Sequence, residues 1–176
     1  MTRGPGWQFL ELGRRIERAL YAISLLRSTL LVASPNEHAV LEALLEIADS
    51  SMTYRNRYAT NLQVGPLLDL LMTDETNPRS IGFQLAALAE QVDRLPHQQS
   101  DSLLSPEQRL VIAVLSEIQL ADVNALGEVD EMGMRQQLDE LLDRAGQRLR
   151  ELSSTISHKY LVHAGPAHQM TEIQRG

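Results

Sequence analysis

Apolar residues recur at alternating intervals of three and four through most of this chain, the spacing that lines one side of an α-helix, and no stretch shows the alternation of a half-buried strand. The first periodic segment, about 6–32, carries Phe9, Leu12, Ile16, Leu20, Ile23 and Leu30 on one face. A second, about 35–62, carries Val40, Leu44, Ile47 and Ala48. A short Leu-rich helix is expected at about 66–72, then the turn Asp74-Glu75-Thr76-Asn77, then a helix at about 78–95 with Ile81, Leu85, Leu88, Val92 and Leu95. Two more run over about 106–125 (Leu110, Val114, Ile118, Ala121) and 130–161 (Leu138, Leu141, Ala145, Leu149, Leu152, Ile156), divided near Gly127.

Proline is tolerated at the first position of a helix and damaging further in, and all seven prolines sit at or between the ends of these segments. Ser34-Pro35-Asn36-Glu37 and Ser105-Pro106-Glu107-Gln108 read as capping boxes, and Asn77-Pro78-Arg79-Ser80 as a third cap-plus-proline start. Gly65-Pro66 and Pro5-Gly6 precede two further runs. The expectation is an all-α fold, a single up-and-down-like bundle of about six helices over 1–164, starting near Pro5, Pro35, Pro66, Pro78, Pro106 and Asp130. The polar stretch from His97 to Leu104 reads as a linker, and 165–176 as a flexible tail.

Three places break the pattern. On a wheel of about 100° per residue, Ser51, Arg55 and Tyr58 fall within about 40° of Leu44, so the second helix turns polar in mid-stripe. Either the stripe reaches the end of the bundle and Arg55 snorkels to water, or Ser51, Tyr54, Arg55 and Tyr58 form a buried network or anion site. If buried, Arg55 needs a carboxylate, from the Asp74–Arg79 turn or from Glu17. In the first helix, Arg14 and Arg18 lie opposite Ile16 and Leu20, and Tyr21 and Leu25 continue that opposite face. The charged run from Glu11 to Arg18 is either a solvated ladder or part of a face covered by another helix, a second copy or a further part of the domain. In the turn, Arg79 stands at a helix start where a cation is unfavourable. Asp74 or Glu75 folding back onto it would compensate; the alternative is an anionic ligand held at this start by the free backbone N–H groups together with Arg79 or Arg55, which includes Asn77 in the candidate polar cluster.

Composition narrows the chemistry. The 176 residues are 43% hydrophobic but only 4% aromatic, so Leu, Ile, Val, Ala and Met must fill the core. A net charge of −7 disfavours nucleic acid and anionic membrane surfaces. With no cysteine there is no disulfide, thiolate nucleophile or Cys-based zinc site, which fits a reducing cytoplasm. Neither a signal peptide nor a membrane span is expected. His38, His97, His158, His163 and His168 are scattered without metal-ligand spacing, and no phosphate loop or nucleophile elbow occurs. No metal or cofactor is expected.

The breaks coincide with strings by which the chain resembles the bacterial alpha-E domain family. These are Gly6-Trp7-Gln8-Phe9-Leu10 with Leu12-Gly13-Arg14-Arg15-Ile16-Glu17-Arg18-Ala19, then Leu44 to Tyr58 (including Ala48-Asp49-Ser50-Ser51-Met52-Thr53-Tyr54-Arg55), then Asp74-Glu75-Thr76-Asn77-Pro78-Arg79-Ser80. The resemblance implies a C-terminal half of a longer helical domain. It also implies a setting beside circularly permuted ATP-grasp proteins and transglutaminase-like peptidases, hence peptide or amide-bond metabolism. Two functions stay open: an accessory module that docks or assists such a system, or an enzyme using the Arg, Tyr, Ser and acid cluster on a peptide or amide.

Overall fold

Helix α1 (Pro5–Leu30) buries Leu12, Ile16, Ala19, Ile23, Leu26 and Leu30 along one side, the stripe of a core-facing helix. The computed structural model describes residues 5–58, 61–96 and 103–161. Within them follow α2 (Glu37–Ile47), α3 (Ser51–Tyr58), α4 (Val64–Leu68) running into a π-helical turn (Asp69–Thr73), α5 (Ile81–Asp93), α6 (Pro106–Gln119), α7 (Val123–Gly127) and α8 (Gln136–Ile156), which ends in a second π-helical turn (Ser157–Leu161). The all-α expectation holds: among the described residues no strand forms, only one antiparallel bridge between Val32 and Met134.

Four long helices close a ring: α1 packs on α5 and α8, and α6 packs on both α5 and α8. Leu85, Leu88 and Val92 of α5, Val111, Val114 and Ile118 of α6, and Leu138, Leu142, Leu149 and Leu152 of α8 meet the α1 stripe in one core. Among the short elements α4, whose Leu67 and Leu68 are fully buried, touches α2 and α7, while the Asp69–Thr73 turn packs on α5 and α6, and α7 packs on α8, which joins them to the ring.

Local chemistry moves several expected boundaries. The Ser105 box forms in both directions, with Gln108 N–H donating to Ser105 Oγ at 3.4 Å and Ser105 N–H to Gln108 Oε1 at 2.9 Å. The Ser34 box does not form: Ser34 Oγ accepts only from Asn36 N–H, and α2 starts at Glu37, whose carboxylate is used elsewhere. At the third start Ser80, not Asn77, is the cap, accepting from Phe83 N–H at 2.9 Å, so α5 begins three residues later than expected. The helix expected over 106–125 stops at Gln119, and Asp122 caps the separate α7 through Asn124 and Ala125 N–H. The start expected near Asp130 lies at Gln136. Asp130 instead ties a turn by accepting from Met132 and Met134 N–H, with Gly133 at φ +75°.

The largest correction is the second helix. It breaks at Ala48–Ser50, where Asp49 takes a left-handed conformation (φ 48°). Ser50 N–H donates to Leu45 C=O at 2.8 Å and Asp49 N–H to Glu46 C=O at 3.0 Å, the paired bonds of a Schellman ending. Ser50 C=O then accepts from Tyr54 N–H and starts α3. Residues 59–60 of the expected helix, most of the 97–104 linker, His97, His163, His168 and the 165–176 tail lie outside the described residues.

Arg135, only 3% exposed, joins three helix ends. Its guanidinium donates to Leu30 C=O at the end of α1 (2.7 Å), to Gly127 C=O at the end of α7 (3.0 Å) and to the Glu37 carboxylate in the first turn of α2 (2.5 Å). Backbone bonds from Ala33 to Gly133 and from Arg135 to Leu31 hold the same junction.

Replacing Arg135 by Ala should lower stability by about 2–4 kcal/mol in urea unfolding, because two buried carbonyls and a carboxylate lose their donor together. Glycine substitutions should split in sign. Gly82 sits where a Cβ would lie 2.7 Å from Thr73 C=O, so Gly82→Ala should destabilise by roughly 1–3 kcal/mol. At Gly13, on the exposed side of α1, a Cβ would meet nothing within 4 Å, and Gly13→Ala should stabilise by about 0.5–1 kcal/mol.

Candidate ligand-binding groove

The break at Asp49 resets the helical phase and rearranges the polar cluster expected from the sequence. Tyr54 becomes the fully buried residue of α3; its hydroxyl donates to Asn61 C=O and accepts from Gln63 N–H, both at 3.1 Å, which holds the chain leading into α4. Arg55, one position on, points to solvent, and no carboxylate of a described residue lies within ion-pair distance. The expected pairing of Arg55 with the Asp74 turn or Glu17 is therefore corrected: Arg57 makes it. Arg57 donates to Asp74 Oδ2 at 2.5 Å and to Thr76 Oγ1 at 2.9 Å. Ser51 and Arg55 border a separate hollow of about 270 Å³ with His38 and Glu42.

Asp74 and Glu75 do not fold back onto Arg79. Asp74 also accepts from Thr76 N–H and hydroxyl, at 2.8 and 2.7 Å. Burial works to raise its pKa, but the Thr76 bonds and the Arg57 guanidinium outweigh it and hold the carboxyl below its ordinary value. Glu75 accepts from Gln119 on α6. Arg79 turns to Asp49, at 3.0 Å. Asn77 is buried and structural: its amide donates to Leu70 C=O at 3.0 Å in the π-helical turn and reaches Ser50 Oγ at 3.4 Å, and its carbonyl accepts from Arg79 N–H. Tyr58 donates to Asp69, which also accepts from the Thr73 hydroxyl. Burial and the Asp69 carboxylate push the Tyr58 phenol up to about 12.

Among several hollows on the described surface, a groove of about 390 Å³ lies between α1, the end of α2 and the approach to α5, bordered by residues that the sequence pattern singles out. Glu17, Arg18, Tyr21 and Leu25 of α1 form one side, Ile47 and Ala48 another, and Pro78, Arg79 and Gln84 the third. Tyr21 is 63% and Ile47 57% exposed, so at Tyr21 the described residues leave the second face of α1 uncovered, while Leu25 further along is half-buried against the core. Neither Glu17 nor Arg18 makes a hydrogen bond or ion pair with a described residue, whereas Arg14 pairs with Glu11 on the same helix. Gln84 braces the groove from beneath, donating to Pro78 C=O and accepting from Arg15, whose guanidinium lies over the Phe83 ring at 5.5 Å. Glu17, Arg18 and Arg79 are all candidates from the sequence, but the expected grouping of Arg79 with Arg55 does not form, and Ile47, expected on the core stripe, lines the groove.

A second polar cluster had no sequence signal beyond a capping box. Glu107, fully buried in the first turn of α6, accepts from Lys159 Nζ at 2.6 Å and from the Tyr160 hydroxyl at 2.8 Å. Burial works to raise the Glu107 pKa, but Lys159, its own backbone N–H and Tyr160 outweigh it and hold the carboxyl below the ordinary range. It fastens the end of α8 to α6. Among the described residues no three His, Asp or Glu side chains converge as a metal site, and no helix is long and apolar enough to cross a membrane.

Fold and groove define a helical module with an open, mixed apolar and basic trough. The sequence matches, over residues 1–161, the Alpha-E family, described as a predicted alpha-helical domain with a conserved ER motif. The chain belongs to the Alpha-E family. Its one Glu-Arg dipeptide is Glu17-Arg18, at the groove. It is also 33% identical over 167 residues to uncharacterized proteins of Mycobacterium bovis and of two strains of Mycobacterium tuberculosis. The match covers 94% of this chain but 19% of each relative, so the chain spans only a small part of their length. No solved structure matches it.

The lowered Glu107 pKa fixes a pH dependence. Its stabilising contribution is complete above the unfolded-chain value of about 4.3 and is lost as pH falls through the lower folded-state value. Urea unfolding at stepped pH should show Glu107→Gln starting less stable than the native chain at neutrality and losing less between about pH 5 and 3. Equal acid slopes would assign the effect to other carboxylates.

Proposed function

We propose that this chain is a non-catalytic α-helical docking module within a larger peptide or amide-bond system, whose partners by family resemblance are a circularly permuted ATP-grasp protein and a transglutaminase-like peptidase. The groove is the contact surface. The observation that carries the reading is that Tyr21 and Ile47 expose large apolar side chains beside Glu17 and Arg18, which no described residue engages. A helix with one side in the core and a mixed apolar and charged opposite side is built to meet a second surface. What weighs against the amidase reading is the dispersal of the polar residues. Arg57, Asp74, Tyr58, Asp69 and Asn77 each hold backbone or a neighbouring side chain, away from the groove. A cytoplasmic setting belongs to the same proposal.

Co-expression with the circularly permuted ATP-grasp protein of the same genome tests it. The two should co-elute in size exclusion, and Tyr21→Glu and Ile47→Glu should separate them without changing the melting temperature by more than a degree or two, as expected for exposed positions. Independent elution of the native pair, or co-elution unaffected by both substitutions, would refute the docking face.

A further inference from the structure

Arg18 and Arg79 are 61 residues apart in sequence and border the same groove. Among the described residues Arg18 has no acid partner and Arg79 has only Asp49, itself 82% exposed at the rim, a pair of the kind that contributes little and yields readily to a competing carboxylate. The same groove is lined by the apolar surfaces of Tyr21, Leu25 and Ile47. Guanidinium is the side chain suited to carboxylate, donating two parallel hydrogen bonds in a fixed fork. A polyanion is disfavoured, because the molecule carries a net charge of −7 and Glu17 stands in the groove itself. The volume, about 390 Å³, is that of a small-ligand cleft and holds a few residues of peptide.

We propose that this groove binds an apolar peptide segment bearing a single carboxylate, with Arg18 and Arg79 taking the carboxylate and Tyr21, Leu25 and Ile47 taking the neighbouring apolar side chains. The inference rests on the docking reading and names the chemistry of what docks. It fits an occupant supplied by a peptide-handling partner, whether the carboxylate is a chain terminus or an acidic side chain. Arg55, in its separate hollow, takes no part.

Titration of the intact chain by NMR tests this with N-acetylated tripeptides of Ala, Leu and Phe, as free acids and as C-terminal amides, plus acetyl-Leu-Glu-Leu-amide. The free acids, the Glu-containing amide, or both should shift the signals of Tyr21, Leu25 and Ile47, and the uncharged amides should bind at least tenfold more weakly. Which of the two carboxylate forms binds distinguishes a terminus from a side chain. Arg18→Gln and Arg79→Gln should each weaken binding about tenfold, with melting temperature unchanged, and Arg55→Gln should leave it as it was. Equal binding of acids and amides, no binding of any carboxylate peptide, or indifference to Arg18→Gln would overturn the inference. The docking reading is separately scored by co-elution. If co-elution persists in Arg18→Gln and the peptides show no carboxylate preference, docking stands and the carboxylate inference falls. Peptide binding that depends on Arg18 without co-elution does the reverse.

Discussion

The arrangement depends on one buried cation. Arg135 brings a guanidinium cation into the interior, where an isolated charge is costly. It is tolerated because two helices end on it. The last carbonyls of α1 and α7 have no intrahelical partner and carry the negative end of the helix dipole, so Arg135 satisfies orphan acceptors and local field at once. Glu37 supplies the compensating charge and is then no longer free to close the box at Ser34, which explains why α2 starts without a side-chain cap. The direction in which the chain leaves α1 and enters α2 and α8 is thus set by one side chain.

That direction governs the groove. α2 leaves the Arg135 junction and ends in the left-handed Asp49, whose carboxylate holds Arg79 across the rim. Asn77 then ties Ser50, just after the break, to the π-helical turn, and Gly82 lets α5 approach that turn closely. The π-helical turn frees acceptors that a regular helix would use itself, and Asn77 takes one of them at Leu70. The groove walls are therefore held from behind by satisfied polar contacts, and the side chains facing into it are left with few.

Periodicity and Ser105 were legible because both are local: three-and-four spacing makes a helix wherever it occurs, and a box needs only residues three apart. The break in the second helix was not. Glycine at such an ending would have announced it, but Asp49 also occurs within helices, and Leu44-Leu45 followed by Tyr54 and Tyr58 can be joined by a straight wheel. One left-handed residue turned Arg55 outward and gave the Asp74 turn to Arg57, so the wheel identified the partner turn but the wrong arginine. Arg135 had no local signature either, since its acceptors lie 8, 98 and 105 residues away. Glu107 was visible as a helix-start acid, but Lys159 and Tyr160 meet it only after the ring closes. The second face of α1 was readable because it violates amphipathicity within one helix.

The groove's energetics follow from this division of labour. Exposed guanidinium–carboxylate contacts are screened over about 10 Å at moderate salt and contribute little affinity alone. Burying an apolar side chain against Tyr21, Leu25 and Ile47 contributes about 25 cal/mol per Å² and is indifferent to salt. Affinity in such a groove would therefore come mainly from the apolar walls, while Arg18 and Arg79 set orientation and reject segments that place an uncharged group at the basic rim. An acid paired with Arg18 would have removed that discrimination. Asp69 and Asp74 are engaged by Tyr58 and Arg57 away from the groove, and Glu17, the acid that lines it, makes no ion pair with Arg18, so the charge at Arg18 stays available at the surface where a second chain would meet it.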